Sequence, residues 1–174
     1  MRKLIVYIAV SLDGYIATED GGIDWLTGFP NPDNNDYGYA RFLATVDTTL
    51  MGYKTYQDVL RLAENFPYPD TTNYVFSRSP KPEAPYVTFM NGDSIPALVQ
   101  QLKAQDGKNI WLIGGGELNA AFLQHDLIDE MIIHTIPVVL GTGRPLFAGN
   151  VQKTFKVKDI KLYDTGVVET RYER

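Results

Sequence analysis

The feature that most constrains this chain is the triplet Gly114-Gly115-Gly116, set between the apolar run Ile110-Trp111-Leu112-Ile113 and the segment Glu117 to His125. The run reads as a buried strand. Leu118, Ala121 and Phe122 recur at helical spacing in the segment that follows. The glycines therefore mark a switch from strand to helix. Lacking Cβ atoms, they let the backbone turn tightly and approach a ligand closely. The helix behind them presents free N–H groups and the positive end of its dipole. A junction of this kind suits an anion such as a pyrophosphate, so a nucleotide or dinucleotide is the ligand to test against the rest of the chain.

The order of elements extends that reading. Leu4 to Val10 is nearly all apolar and β-rich, as expected of a central strand buried on both faces. The pattern predicts a helix over 36–46, a strand over 47–51 ending at Gly52, and a helix over 55–63 closed by the prolines of 66–70. It then predicts strands over 72–76 and 86–90 and a helix over 94–105 with Ser94 as N-cap. A long strand over 130–140 is interrupted at Pro137, which points to an edge or a bulge. Two alternating stretches near 155–163 and 167–172 flank Asp164-Thr165-Gly166, which reads as a hairpin turn. Strands alternating with helices and ending in a hairpin imply an α/β fold with a mostly parallel sheet and an antiparallel end. No repeat, low-complexity tract or linker divides residues 1–174, so a single domain is expected.

Composition excludes several function classes. The formal net charge is −5 and no Lys/Arg stripe is present, so no nucleic-acid partner is expected. The chain has no cysteine, which removes thiolate chemistry and Cys-ligated metals. No metal site is expected. No apolar stretch nears the roughly 20 residues that span a bilayer, and the opening MRK segment does not read as a signal peptide. No membrane partner is expected, and the reading is of a cytoplasmic protein.

Three junctions share one chemical character. Gly52-Tyr53-Lys54-Thr55 offers close backbone approach, a positive charge and a hydroxyl at a helix start. Ser77-Arg78-Ser79 follows a strand and places a guanidinium between two hydroxyls, suited to bidentate grip of a phosphate monoester. The glycine triplet is the third. Ligands of parallel α/β sheets bind outside the carboxyl ends of the strands. A pyrophosphate site and a separate monophosphate site together match the adenosine half of NADPH. Two histidines remain: His125, placed as a helix C-terminal dipole partner, and His134, which alternates with apolar neighbours and is read as structural or as lining the pocket. Asp13 either orients the loop after the first strand or makes a turn with Gly14.

These residues carry a resemblance. Met51-Gly52-Tyr53-Lys54-Thr55-Tyr56 resembles a segment of dihydrofolate reductases, and Asp36 lies sixteen residues before Gly52, the spacing of their substrate carboxylate. Trp25 matches an active-site loop tryptophan. Ala9 to Ala17 (AVSLDGYIA) and Pro137 to Phe147 (PVVLGTGRPLF) are more similar to the reductase domain of the bifunctional riboflavin-biosynthesis deaminase-reductase. The resemblance implies a dihydrofolate reductase-like fold with helices on both faces of the sheet, and NADPH as hydride donor.

It further implies a role for each matching residue. Gly52, Tyr53, Lys54 and Thr55, with Gly114, Gly115, Gly116, Glu117 and Leu118, would hold the pyrophosphate. Ser77, Arg78 and Ser79 would hold the 2′-phosphate. Ala9 and Ile16 would lie by the nicotinamide through their backbone. Trp25 and Asp36 would contact the substrate, with Asp36 as the catalytic group; buried there, its pKa would rise. The substrate would be a small nitrogen heterocycle, a pyrimidine of the phosphoribosylaminouracil type or a pterin. Dihydrofolate reduction proper and a non-catalytic NADP-binding module are the rival readings. Two departures stand out. Phe66 occupies the place where dihydrofolate reductases carry an arginine for the folate glutamate, with Arg61 nearby. No cysteine is present for a deaminase zinc site, so a riboflavin-type reductase here would be a stand-alone one. The apolar strand Met131 to Leu140 is expected to provide a homodimer edge.

Overall fold

In the computed structural model, which describes residues 1–174, the strands β1 (Leu4–Ser11), β2 (Tyr15–Ala17), β3 (Val46–Gly52), β4 (Thr72–Phe76), β5 (Val87–Met90), β6 (Asn109–Gly114), β7 (Glu130–Ile136), β8 (Arg144–Pro145), β9 (Lys156–Leu162) and β10 (Val168–Glu173) build two sheets. The main sheet has eight strands in the order β5-β4-β3-β6-β1-β7-β10-β9. Its first six are parallel, and β10 runs antiparallel to both β7 and β9. A small antiparallel pair, β2 with β8, stands beside it. This is the α/β dihydrofolate reductase-like architecture: a mostly parallel sheet closed by an antiparallel hairpin.

Helices cover both faces, as two apolar stripes on each central strand require. On one face Leu4, Val6, Leu50, Ile110 and Leu112 pack under α4 (Ile95–Ala104) and α5 (Gly116–Gln124), through Leu98, Val99, Leu102, Leu118 and Phe122. On the other, Ile5, Trp111 and Ile132 meet Phe42 of α2 (Tyr39–Leu43), and Met51 and Val75 meet Tyr56 of α3 (Tyr53–Leu62). Phe122 is fully buried at the first contact; truncation there to alanine costs about 3–5 kcal/mol.

Three expectations need correction. The helix expected over 36–46 shrinks to α2, because Tyr37 (φ 51°) and Gly38 (φ 84°) both adopt left-handed backbone and delay its start. The strand expected over 130–140 stops at Ile136, so Pro137 follows the ladder and removes no donor from it. That strand is also no edge: β7 lies between β1 and β10, and the free edge on this side is β9.

Candidate active site

Sheet order decides what the three junctions can do together. β4, β3 and β6 are neighbours and parallel, so Ser77–Ser79, Gly52–Thr55 and Gly114–Leu118 emerge side by side at their carboxyl ends. Two of them lead directly into helices, β3 into α3 and β6 into α5. The segment after β4 instead leads to β5, so Ser77–Ser79 forms a loop and not a helix start.

The glycines divide their work. Gly114 has φ 116°, a conformation that L side chains rarely adopt, and its peptide to Gly115 is cis. A Cβ on Gly116 would lie 2.1 Å from the Pro145 carbonyl oxygen, so Gly116 is glycine because the end of β8 packs against it. Gly115 faces the cleft. Its backbone is ordinary extended (φ −85°, ψ −162°). A Cβ there would stand 3.3 Å from Thr55 Oγ1 and 3.8 Å from Ile16 Cδ1. A Cβ on Gly52 would point at the same backbone, 3.7 Å from Gly114 O. Gly52, Thr55, Ile16 and Gly115 thus frame one cleft whose walls are backbone, a hydroxyl and one aliphatic side chain.

Arg78 is mostly exposed and forms an ion pair with Glu117, also exposed, at the first turn of α5. The pair bridges the end of β4 to the start of α5 across β3. Glu117 therefore enters the site as the partner of Arg78, and its carboxylate has the wrong sign to hold a phosphate. Ser77 Oγ donates to the Ser79 carbonyl at 2.8 Å and shapes the loop that carries Arg78. Lys54 is exposed and Tyr53 half-buried, the latter with Lys81 Nζ 4.2 Å above its ring. Leu118 is buried in the core and can reach a ligand only through its backbone.

A separate apolar cluster lies on the opposite face of the sheet from α4 and α5. Ala9, Trp25, Leu26, Phe29, Tyr37 and Val138 pack around Ile136, Tyr163 and Val167. Trp25 sits in the short helix α1 (Asp24–Thr27), and its indole Nε1 is buried without a hydrogen-bond partner. A buried donor left unpaired is costly, and a polar ligand atom would satisfy it.

Asp36 departs from its expected state. It is exposed, and its two oxygens accept from Ala40 N–H at 3.0 Å and Gly38 N–H at 2.9 Å. Those bonds hold its carboxyl below the usual range, the reverse of the rise expected from burial. Phe66 stacks on Tyr86. Arg61 donates to the Gly21 carbonyl at 3.2 Å and pairs with Asp58, so it is engaged away from any ligand carboxylate.

Further residues complete the frame; of these, sequence reasoning missed Asn119, gave Arg144 no role of its own, and left two readings open for Asp13 and His134. Asn119 is fully buried, donates to the Leu146 carbonyl at 2.9 Å, and leaves its Oδ1 unpaired. It fastens the segment after β8 to the glycine turn. Asp13 orients the loop after β1: it accepts from Ser11 Oγ at 2.6 Å, Leu140 N–H at 3.1 Å and Gly141 N–H at 2.7 Å, which lowers its pKa. Arg144 pairs with Asp58 at 2.7 Å and tethers α3 to the loop before α1. His134 lies in β7 in register with Ala9 and is buried. Burial lowers its pKa, and the Glu169 carboxylate 3.3 Å away opposes that shift.

Comparison with known proteins places this geometry. Residues 2–169 match the RibD C-terminal domain. The chain belongs to the RibD C-terminal domain family. Two relatives come from Bacillus subtilis: the uncharacterized protein YwjB, 47% identical over 168 residues and 95% of each chain, and the uncharacterized protein YyaP, 34% identical over 183 residues, 98% of this chain and 94% of that one. A crystal structure from Shewanella sp. PV-4, assigned provisionally as a riboflavin biosynthesis protein, superposes with a TM-score of 0.88 at 34% identity over 99% of this chain and 98% of that one. The deaminase/reductase of Thermotoga maritima gives a TM-score of 0.73 at 19% identity, with 99% of this chain matching 56% of that one. RibD of Acinetobacter baumannii gives 0.70 at 21%, matching 58% of its length. These last two share the fold of the RibD C-terminal domain. No helix is long and apolar enough to cross a membrane.

Proposed function

We propose that this RibD C-terminal domain is an NADPH-dependent reductase of a small nitrogen heterocycle, of the pyrimidine type named for the Thermotoga maritima 5-amino-6-(5-phosphoribosylamino)uracil reductase. The observation that carries the reading is the alignment of three anion-suited junctions on adjacent strands, with Gly115 and Gly52 bare toward the cleft between them. Gly52, Thr55 and the backbone of 114–118 would hold the pyrophosphate, and Arg78 with Ser77 and Ser79 the 2′-phosphate. When bound, the cofactor supplies a hydride. The chain supplies placement. Ile16 stands beside Gly115, and Ala9 belongs to the apolar cluster that also holds Trp25. Trp25 would offer its unpaired indole N–H to a polar edge of the heterocycle. Asp36 shapes the segment that carries Tyr37 and stays ionised at the mouth. Dihydrofolate reduction proper is disfavoured, because Phe66 is engaged in an aromatic stack and Arg61 is tied to Gly21 and Asp58.

The test is a titration with NADPH followed by loss of reduced-nicotinamide absorbance in the presence of an aminouracil ribityl precursor or of dihydrofolate. Turnover of the aminouracil supports the proposal. Turnover of dihydrofolate alone shifts it to the folate reading. Tight NADPH binding with neither reaction supports a non-catalytic module.

We further propose a cytoplasmic homodimer, formed through the β9 edge. A bulge in β9 between its pairings with Arg171 and Tyr172 places Val157, Ile160 and Leu162 on one face, although alternation alone would separate Val157 from the other two. These side chains are 56%, 62% and 70% exposed, a contiguous apolar stripe on an open edge. Light scattering should report twice the chain mass, and Ile160→Lys should reduce it to one; a wild-type monomer would remove the dimer.

A further inference from the structure

The segment that brings Tyr37 into the apolar cluster on this face holds a costly backbone conformation. Tyr37, a bulky aromatic residue, has φ 51°, and Gly38 after it has φ 84°. Left-handed backbone is rare at such a side chain and persists only where its surroundings enforce it. Here the conformation turns the Tyr37 carbonyl into the sheet. Three side chains meet it at 3.1 Å: Tyr7 Oη from β1, His134 Nε2 from β7, and Tyr163 Oη from the residue after β9.

Tyr163 has one proton to give. Its hydroxyl also lies 2.8 Å from Glu169 Oε2, and Glu169 accepts from Arg171 Nε at 2.8 Å. Burial alone would raise the Glu169 pKa, but the bonds from Arg171 and Tyr163 leave it below its usual value and ionised. The carboxylate is therefore the stronger acceptor and takes the Tyr163 proton. The Tyr37 carbonyl is then met by Tyr7 O–H and by His134 Nε2–H, which it shares with the Glu169 carboxylate 3.3 Å away. This fixes neutral His134 with its proton on Nε2. The far end of Tyr37 is held as well: its hydroxyl donates to Thr165 Oγ1 at 3.1 Å in the β9–β10 turn, and its ring meets that of Tyr163 edge-on at 5.0 Å.

We propose that Tyr7 and His134 are positioning residues that latch the Tyr37 carbonyl and so hold the 36–40 segment in place before any ligand arrives. Tyr7 already packs by stacking on Phe42 at 4.3 Å, and its hydroxyl is needed only for the carbonyl. His134 is the register partner of Ala9, so the latch stands beside Ala9 on the neighbouring strand. What the segment serves rests on the reductase reading; the latch itself does not.

The test is amide hydrogen exchange at Gly38, Tyr39 and Ala40 in the full chain. These amides donate to Asp36 and report whether the segment is held. Tyr7→Phe keeps the ring and removes one donor. His134→Leu removes the other, while His134→Gln retains a side-chain N–H. Exchange at these amides should quicken about tenfold or more in the double variant Y7F/H134L. An intermediate rise is expected in Y7F and near wild-type protection in H134Q, with the amides of β3 and β6 unchanged. Unchanged protection in the folded double variant, or H134Q as loose as H134L, overturns the latch. If the leucine variants do not fold, Y7F against H134Q carries the same comparison. NADPH titration of each variant is read separately: loss of NADPH binding in the wild type would remove the reductase reading and leave the exchange result standing.

Discussion

Replacement of Gly115 by alanine separates a ligand cradle from a turn. The native backbone at Gly115 (φ −85°, ψ −162°) is open to alanine. The added methyl would meet Thr55 Oγ1 at 3.3 Å, a tight contact that a small hydroxyl rotation relieves, and Ile16 Cδ1 at 3.8 Å, which is ordinary. Loss of unfolded-state freedom contributes about 0.4–1 kcal/mol in favour of the variant, roughly offsetting the crowding. Stability should therefore change by less than about 1 kcal/mol. The methyl nevertheless stands between Thr55 and Ile16, where a pyrophosphate would approach, so NADPH affinity should fall at least tenfold, about 1.4 kcal/mol. Gly116→Ala is the contrast. Its Cβ would sit 2.1 Å from the Pro145 carbonyl oxygen, and relief requires backbone movement at a cost of about 1–3 kcal/mol or more. Thermal melting and calorimetric NADPH titration of both variants decide the matter. A G115A protein with native melting and native affinity, or one as unstable as G116A, would refute the assignment of Gly115 to the cleft.

Three other outcomes are expected. Arg78→Ala should weaken NADPH binding by about 1.5–3 kcal/mol, the range for hydrogen bonds to charged groups, and leave NADH nearly unaffected; release of the exposed Glu117 pair changes this by less than about 1 kcal/mol. An equal loss for both cofactors would detach Arg78 from the 2′-phosphate. Asp36→Asn should lower the melting temperature slightly, because an amide has one oxygen for two backbone donors, and should reduce turnover by less than about tenfold; a larger loss at unchanged melting would return Asp36 to the chemistry. His134 is held neutral by burial, its pKa lowered from the ordinary value. The unfolded state then binds more protons, so stability is fully present above about pH 6.5 and declines as pH falls toward the lowered folded value. Melting followed from about pH 7 to 5 should show this decline in the wild type and a shallower one in H134Q; identical slopes would mean that His134 is not held neutral.

The parallel core of the fold was legible because its strands are continuous apolar runs with helices between them. Leu4 to Val10 and Thr72 to Phe76 are strands as their residue types demand, and Ile110 to Ile113 is framed by glycine at the turn. What escaped sequence reading depends on distant partners. The β2–β8 pair is two short segments joined across more than a hundred residues, with no periodicity to announce it. Pro137 signalled an edge, yet it marks the end of an interior strand, since local chemistry fixes where a ladder stops and not which strand lies beside it. The site shows the same division. Gly52, Arg78 and the triplet could be found because each follows a strand in the chain. That only Gly115 faces the cleft depends on Pro145, Thr55 and Ile16, which tertiary packing brings there. Asp36 was placed by spacing alone, which carries no information on burial, and its two backbone partners set its charge state instead. Asn119, Tyr7 and Tyr163 gave no pattern, and His134 showed its alternation but not its partners, because polar residues buried by long-range contacts look like ordinary members of a helix or strand.

The most direct test of the central claim is a side-by-side calorimetric titration of the wild-type protein with NADPH and NADH at one ionic strength. The account predicts one NADPH per chain, bound at least about tenfold more tightly than NADH, a difference of about 1.4 kcal/mol attributable to the 2′-phosphate at Arg78. Absence of saturable NADPH binding, or equal affinity for the two cofactors, would contradict it.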